Sequence, residues 1–247
     1  MNNIDKFSKV SIITASYNNI DTIKDTILSV LNQTHSSVEY IIMDGGSDDG
    51  TIDFIRDFED EFRSKLQGYI FKSEKDEGIA DAWNKGLKLA TGDVIFFLNS
   101  DDWIQENTLE KALKSINPDE LEISYGICNR VDKEKTLIGS FQNNFNKYRI
   151  LFNFGFSFTT CFVTKRVYDE IGGFNTSYKI AIDSDFLLRC VKKGVKFKKG
   201  THETYMRIGG VSTKYRLAAH KEYKKALLAN GYPKLLVKLS YFFFKRT

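Results

Sequence analysis

The run Val-Ile-Phe-Phe-Leu-Asn-Ser-Asp-Asp at residues 94–102 drives a fully apolar strand straight into carboxylates. A strand apolar on both faces belongs in the middle of a covered sheet, where an unpartnered carboxylate is costly. A cation at the strand end resolves that conflict. In open α/β sheets ligands bind outside the carboxyl ends of the strands, and hard oxygen donors there suit Mg²⁺ or Mn²⁺ carrying phosphates. A second reading is open on these residues alone: Asp101 and Asp102 cap a helix beginning near Gln105, since Asp is a favoured N-cap.

The surrounding pattern is α/β. Residues 10–14 read as a strand, 21–32 as a helix with Ile23, Ile27, Leu28 and Leu31 on one face, and 39–43 as a second strand. That is a βαβ unit. A helix over 51–62, a strand over 68–72, a helix over 79–89 and the strand at 93–98 continue the alternation, so the sheet is expected to be largely parallel. Beyond Asp102 it weakens, with helices expected at 108–116, 165–171 and 183–193 and strands at 122–131, 158–164 and 195–198. At 247 residues the chain can bury a sizeable core without staples. Cys128, Cys161 and Cys190 are far apart, odd in number and without a CxxC pair, which argues against a disulfide framework or structural zinc. The opening Met-Asn-Asn-Ile-Asp-Lys has no signal-peptide pattern, and no run of roughly 18 apolar residues offers a membrane span. A cytoplasmic protein is expected.

Three loops follow strands. Asp44-Gly45-Gly46-Ser47-Asp48-Asp49-Gly50-Thr51 is not a P-loop, and no GxGxxG follows the first strand. Ser47 to Thr51 can cap the next helix while Asp44 faces the strand-end crevice, although an ordinary turn reads the same way. The segment 73–86 puts Asp76, Asp81, Asn84 and Lys85 in a loop and the first turns of a helix, which can present N–H groups and a lysine to a diphosphate; Asp81 and Lys85 also suit a surface i,i+4 pair.

Taken together, Ser11-Ile12-Ile13-Thr14-Ala15-Ser16-Tyr17-Asn18, the 44–51 loop, Asp76 to Gly86, Ala90-Thr91-Gly92-Asp93, Leu98 to Asp102, Gly172-Gly173-Phe174 and Ile182-Asp183-Ser184-Asp185 resemble, in order and spacing, the family-2 glycosyltransferases of the GT-A fold. The resemblance covers residues 10–195. It implies a Rossmann-like nucleotide-binding α/β fold with a mainly parallel central sheet flanked by helices, a nucleotide-sugar half at 1–102 and an acceptor half at 103–215. Thr14, Ser16, Asn18 and Asp44 would hold the base and ribose, and Asp76, Asn84, Lys85 and Gly86 the donor pocket. In the acidic motif Asn99-Ser100-Asp101-Asp102, Asp101 is implied as the metal ligand, with Asp102 as a second candidate. Asn99 stands where the family often has Asp, which makes it a ribose partner. The later motif commonly opens with Glu and here opens with Ile182; Asp183 matches the general base, with Asp185 in reserve.

The chemistry needs this division of labour. A sugar nucleotide leaves as a diphosphate, so Mn²⁺ or Mg²⁺ neutralises the developing charge, and a carboxylate within about 3 Å of the acceptor hydroxyl takes its proton. The family reading implies an inverting transfer of a hexose from a UDP-sugar, UDP-Glc or UDP-Gal, to a lipid-diphosphate-linked sugar in O-antigen or capsular polysaccharide assembly. Among the histidines, His35 and His220 lie in polar, exposed-looking segments, and His202 follows the strand at 195–198, where some GT-A enzymes supply a further metal ligand. Phe158 stands where related bacterial enzymes often carry His, so an apolar acceptor pocket is expected. The alternating Phe residues of 152–158 suit core packing better than acceptor or lipid contact.

Sixteen of the 36 Lys and Arg fall in residues 189–247, where only Glu203 and Glu222 oppose them, so the rest of the chain is net acidic. Such asymmetry points to a polyanionic partner. A basic helix over 216–229, ended by Asn230-Gly231, and a Leu/Phe-rich segment after Pro233 with Lys234, Lys238, Lys245 and Arg246 form an expected basic amphipathic tail, 216–247, suited either to an anionic membrane surface or to docking on the core. The membrane reading puts the protein on the inner face of the bacterial cytoplasmic membrane. No RNP, KH or helix-turn-helix signature supports nucleic acid. Two rival functions are a nucleotidyltransferase, which needs a basic Gly-rich loop after the first strand where Ala15 to Asn19 stand, and a non-enzymatic sugar-nucleotide-binding module.

Overall fold

The computed structural model describes residues 8–210 and 214–244, the last four by backbone only. The N-terminal half alternates β1 (Val10–Ser16), α1 (Ile23–Leu31), β2 (Val38–Asp44), α2 (Thr51–Asp57), α3 (Glu59–Lys65), β3 (Gly68–Ser73), α4 (Ile79–Leu89) and β4 (Val94–Phe97). These four strands are parallel, in the order β3-β2-β1-β4. Their residues alternate between two cores: Ile13, Ile41, Met43 and Phe97 face one, Ile12, Tyr40, Ile42 and Phe96 the other. Helices cover both faces, which is why the strands carry no polar face.

The chain continues through β5 (Trp103–Ile104), α5 (Thr108–Leu113), β6 (Glu122–Val131), β7 (Leu137–Phe141), a 3₁₀ turn (Phe158–Thr160), β8 (Cys161–Thr164), α6 (Lys165–Ile171), α7 (Ile182–Lys193), β9 (Lys196–Arg207), α8 (Arg216–Ala229) and α9 (Lys234–Phe244). Strand β8 runs antiparallel to β4 and β6, while β9 lies parallel to β6 along most of its length and carries β5 on its other edge. The sheet is mainly parallel, as expected, and the fold is α/β throughout.

Three expectations are corrected. The helix over 51–62 breaks at Phe58, so that Phe62 turns inward and stacks on Tyr69 with ring centroids 4.4 Å apart. Strand β9 extends to Arg207 because β6 offers it a long parallel partner. Residues 158–160 form the 3₁₀ turn rather than strand. Phe154, Phe156 and Phe158 are core residues, as the alternation favoured, whereas Phe152 is half exposed.

The Ala90–Asp93 motif has a structural use. The Glu39 carboxylate receives Lys9 Nζ at 2.9 Å, the Ser11 hydroxyl at 2.5 Å and the Thr91 N–H at 2.8 Å, tying this turn to the start of the sheet. Gly92 crosses so close that a Cβ would lie 2.6 Å from the Ser11 nitrogen.

The basic helix α8 joins the core. Tyr223, Ala226 and Leu227 are buried, and the Tyr223 hydroxyl donates to the Ile150 carbonyl. Helix α9 buries Val237 and leaves Leu235, Leu236 and Leu239 exposed. No described helix is long and apolar enough to cross a membrane. Lys245, Arg246 and the opening residues 1–7 lie outside the described residues, as do the side chains of residues 241–244.

Candidate active site

The ends of β1 and β4, the 76–83 segment and the start of α7 border one cleft of about 910 Å³. Ser16, Asp76, Asn99, Ser100, Asp101 and Asp183 line it, together with Trp83, Phe156 and Phe158. The residues implied for metal binding and for base catalysis therefore border the same space, and Trp83, Phe156 and Phe158 add apolar surface to it.

Asp101 and Asp102 divide their work. Asp102 is 1% exposed; its Oδ1 accepts the Arg207 N–H at 3.0 Å and its Oδ2 the Asn99 amide at 3.1 Å. Burial, reinforced by the Asp101 charge, raises its pKa well above the usual carboxylate range. Asp102 braces the turn through both oxygens, and it lines the cleft beside Asp101. Asp101 is half-buried, and burial also raises its pKa against the opposing charge of Arg207. Arg207 itself donates to the Asp101 carbonyl and to Asp25 on α1, with its guanidinium 4.8 Å from the Trp103 ring centroid. Desolvation acts to raise Asp25, but bonds from Lys135 and Arg207 outweigh it and hold its carboxyl below the ordinary value.

The donor set fits a hard divalent ion. Asp101 and Asn99 both line the cleft, and the buried Asn99 Oδ1 has no hydrogen-bond partner among the described residues. No three His, Cys, Asp or Glu side chains converge there or elsewhere among those residues. One or two protein oxygens suit Mg²⁺ or Mn²⁺ that takes most of its ligands from phosphates and water. His202 does not line the cleft. Its ring is fully buried, Nε2 lies 2.8 Å from the Thr160 carbonyl, and its edge meets Phe162. Burial pushes its pKa down to about 4. It is a core residue, and so is His35, which is buried with Nε2 at 3.0 Å from the Ser8 carbonyl rather than exposed.

Asp183 opens the first turn of α7, half-buried, with Oδ1 accepting the Ser184 N–H at 2.7 Å. Desolvation raises its pKa, which moves a carboxylate toward the range useful for a base near neutral pH. Asp185 is committed elsewhere: it receives Arg189 at 3.0 Å and Asn230 at 3.2 Å and does not line the cleft. The reserve candidate is structural.

Several residues implied as donor ligands lie outside the cleft lining and take part in the frame. Asn84 exchanges two 2.8 Å bonds with the Phe174 backbone, pinning the Gly172–Phe174 turn to α4. Lys85 pairs with Glu74 at 2.9 Å and Asp81 at 3.1 Å. Gly86 lets α4 pack on β1, since a Cβ there would lie 2.5 Å from Ile13 Cγ2. Thr14 is buried under the Tyr40 hydroxyl, which donates to it at 3.2 Å. Asp44 accepts the Gly46 and Ser47 N–H groups and the Ser47 and Ser73 hydroxyls, while Asn18 and Asp48 hold one another. Sequence reasoning missed Tyr17, 63% exposed at the cleft rim and suited to stacking a base. It also missed Arg207 and Glu222, whose roles are set by distant parts of the chain.

Residues 11–181 match the Glycosyl transferase family 2 domain, and the chain belongs to that family. It is 43% identical over 105 residues to a putative teichuronic acid biosynthesis glycosyltransferase, TuaG, of Bacillus subtilis (strain 168), covering 42% of this chain and 40% of that protein. It is 30% identical over 182 residues to the PGL/p-HBAD biosynthesis glycosyltransferase Rv2957 of Mycobacterium tuberculosis (strain ATCC 25618 / H37Rv), covering 73% and 68%. The match to an uncharacterized glycosyltransferase of Rickettsia bellii (strain RML369-C), 35% identical, covers 56% of this chain and 20% of that protein. The chain thus spans less than half the length of TuaG and of the Rickettsia protein. Among solved structures, S. aureus TarS 1-349 in complex with UDP-GlcNAc superposes with a TM-score of 0.69 at 18% identity over 90% of this chain and 65% of that one. The mannosyltransferase PcManGT from Pyrobaculum calidifontis, in complex with GDP-Man and Mn²⁺, gives 0.68 at 17% identity over 90% and 64%. The shared fold is GT-A.

Proposed function

We propose that this chain is an inverting, metal-dependent hexosyltransferase that moves a sugar from a UDP-sugar to a hydroxyl of a lipid-diphosphate-linked saccharide during assembly of a bacterial surface polysaccharide. The observation that carries the reading is the meeting of Asp101 and Asp183 in one cleft of a family-2 fold. Asp101 and Ser100 receive the donor diphosphate end, and Tyr17, Ser16, Asp76 and Asn99 the nucleoside end. Mn²⁺ or Mg²⁺, when bound, supplies the charge that the leaving diphosphate needs. Asp183 takes the proton from the acceptor hydroxyl as it attacks the anomeric carbon opposite the leaving group, which inverts that centre. The aromatic side of the cleft excludes water that would otherwise hydrolyse the donor.

UDP-Glc or UDP-Gal is the preferred donor and an O-antigen or capsular precursor the preferred product. TarS with UDP-GlcNAc favours a UDP-sugar, and PcManGT with GDP-Man keeps GDP in the screen. The exposed Leu235, Leu236 and Leu239, flanked by Lys234 and Lys238, suit an anionic bilayer surface, so we read the enzyme as peripheral on the inner face of the cytoplasmic membrane.

The test is a screen of UDP- and GDP-sugars for free nucleotide release in Mn²⁺ and in EDTA, with and without GlcNAc- and GalNAc-diphosphate-lipid acceptors. Metal-dependent release stimulated by acceptor supports the transferase. Tight nucleotide-sugar binding with no turnover under any pairing favours the binding module instead.

A further inference from the structure

We propose that Glu222 on α8 is a positioning residue for transfer, fixing the turn that carries Asp183 into the cleft. Its Oε2 accepts the N–H groups of Lys179 at 3.1 Å, Ile180 at 2.8 Å and Ala181 at 2.9 Å, and its Oε1 accepts that of Lys179 at 3.1 Å. Three consecutive amides, all in the cleft wall, converge on one side chain from another helix. Helix α7 begins immediately after them, and its N-cap position, Ala181, has no side-chain group with which to cap. A carboxylate 41 residues further along the chain supplies that acceptor, and its negative charge suits the positive end of α7.

The same helix grips α7 again beyond Asp183. Asn230, the residue that ends α8, donates to Asp185 Oδ1 at 3.2 Å. Asp185 is held from its other side by Arg189, whose guanidinium also reaches the Ile171 and Gly173 carbonyls at 3.0 and 2.7 Å. Asp183 therefore sits between two points fixed by α8, whereas among the described residues its own carboxylate is held only by the adjacent Ser184. Its location in the cleft depends on the turn. Removing the Glu222 carboxylate strands three amides without an acceptor, and the turn relaxes to find water. A displacement of about 1 Å in a reacting group costs on the order of 10²-fold in rate.

This inference rests on the reading of Asp183 as the base, and the experiment separates the two. In the full chain, Glu222→Ala is expected to lower kcat for transfer by about 10- to 100-fold while UDP affinity in Mn²⁺ and donor KM change by less than about twofold. Hydrogen exchange at the amides of residues 179–181 should quicken. Glu222→Gln keeps a carbonyl acceptor at the same reach and should recover part of kcat and of the protection; should Glu222→Ala fail to fold, this variant alone tests the idea. In an Asp183→Asn background, Glu222→Ala should add no further loss. Wild-type kcat in Glu222→Ala, or in Glu222→Gln where only that variant folds, beside a crippled Asp183→Asn, overturns the positioning role alone. So does a loss that multiplies fully with Asp183→Asn, because Glu222 would then act on something else. Wild-type kcat in Asp183→Asn overturns the base assignment, and with it the route by which Glu222 acts.

Discussion

The backbone N–H of Arg207 donates to Oδ1 of Asp102 at 3.0 Å, closing the end of β9 onto the turn after β4 across 105 residues. That bond sets the two adjacent carboxylates in different surroundings. Asp102 becomes a buried brace, whereas Asp101 stays half-buried in the cleft wall. Arg207 reinforces the arrangement through the Asp101 carbonyl, so the geometry of the acidic turn depends on β9 and, through Asp25, on α1.

The brace predicts an unusual pH dependence of stability. Asp102 has its pKa raised by burial and by the Asp101 charge. A carboxyl raised in the folded state binds its proton more tightly when folded, so its contribution is fully present in acid and is lost as pH rises through the folded value. In EDTA, Asp102→Asn should therefore melt higher than wild type at about pH 7, with the gap closing near about pH 4. The unpartnered Asn99 Oδ1 is available to accept the new amide once the Asn99 side chain turns over. A mutant that melts lower at neutral pH would mean that the ionised Asp102 is held favourably.

Gly86 separates a ligand role from a packing role. A Cβ at this position meets Ile13 Cγ2 at 2.5 Å, so Gly86→Ala should cost about 1–3 kcal/mol through overpacking, offset in part by the better helix propensity of alanine. Thermal melting should show the loss, while calorimetry of UDP with the folded fraction should show wild-type affinity. Weakened nucleotide binding without loss of stability would restore the ligand role that the family resemblance implied.

What the sequence disclosed follows from range. Strands β1, β2 and β4 are legible because both faces are covered, which leaves an apolar run that no helix period explains. Strand β5 is two residues long and β7 carries the exposed Leu137 and Ile138, so neither leaves a periodic trace. In the site, Asp101 stands out as a carboxylate at the end of an apolar strand, and Asp183 is legible through the family resemblance of its motif. Arg207 and Glu222 do not stand out, since each acts on residues brought close only by the tertiary fold. Asn84 and Gly86 illustrate the converse: a motif marks positions that matter, but their contacts make them part of the frame.

Helix α9 offers a test of the membrane reading without disturbing the core. Leu235 and Leu239 are exposed, whereas Val237 on the same helix is buried. The double variant Leu235→Glu, Leu239→Glu should keep the wild-type melting temperature and lose cosedimentation with anionic vesicles, and wild-type binding should weaken as salt rises. Equal cosedimentation of both proteins would remove α9 as the contact.

The central claim is that Asp183 acts on the acceptor while the donor is held elsewhere in the cleft, and Asp183→Asn tests it most directly. Paired measurements are needed on the same preparation: UDP affinity by calorimetry in Mn²⁺, and the turnover number for sugar transfer to the diphosphate-lipid acceptor. UDP affinity within about twofold of wild type and turnover reduced by about 10²-fold or more are expected. Turnover near the wild-type value would contradict the claim outright, and a collapse of UDP affinity equal to the loss of turnover would move Asp183 from the chemistry to the binding of the donor.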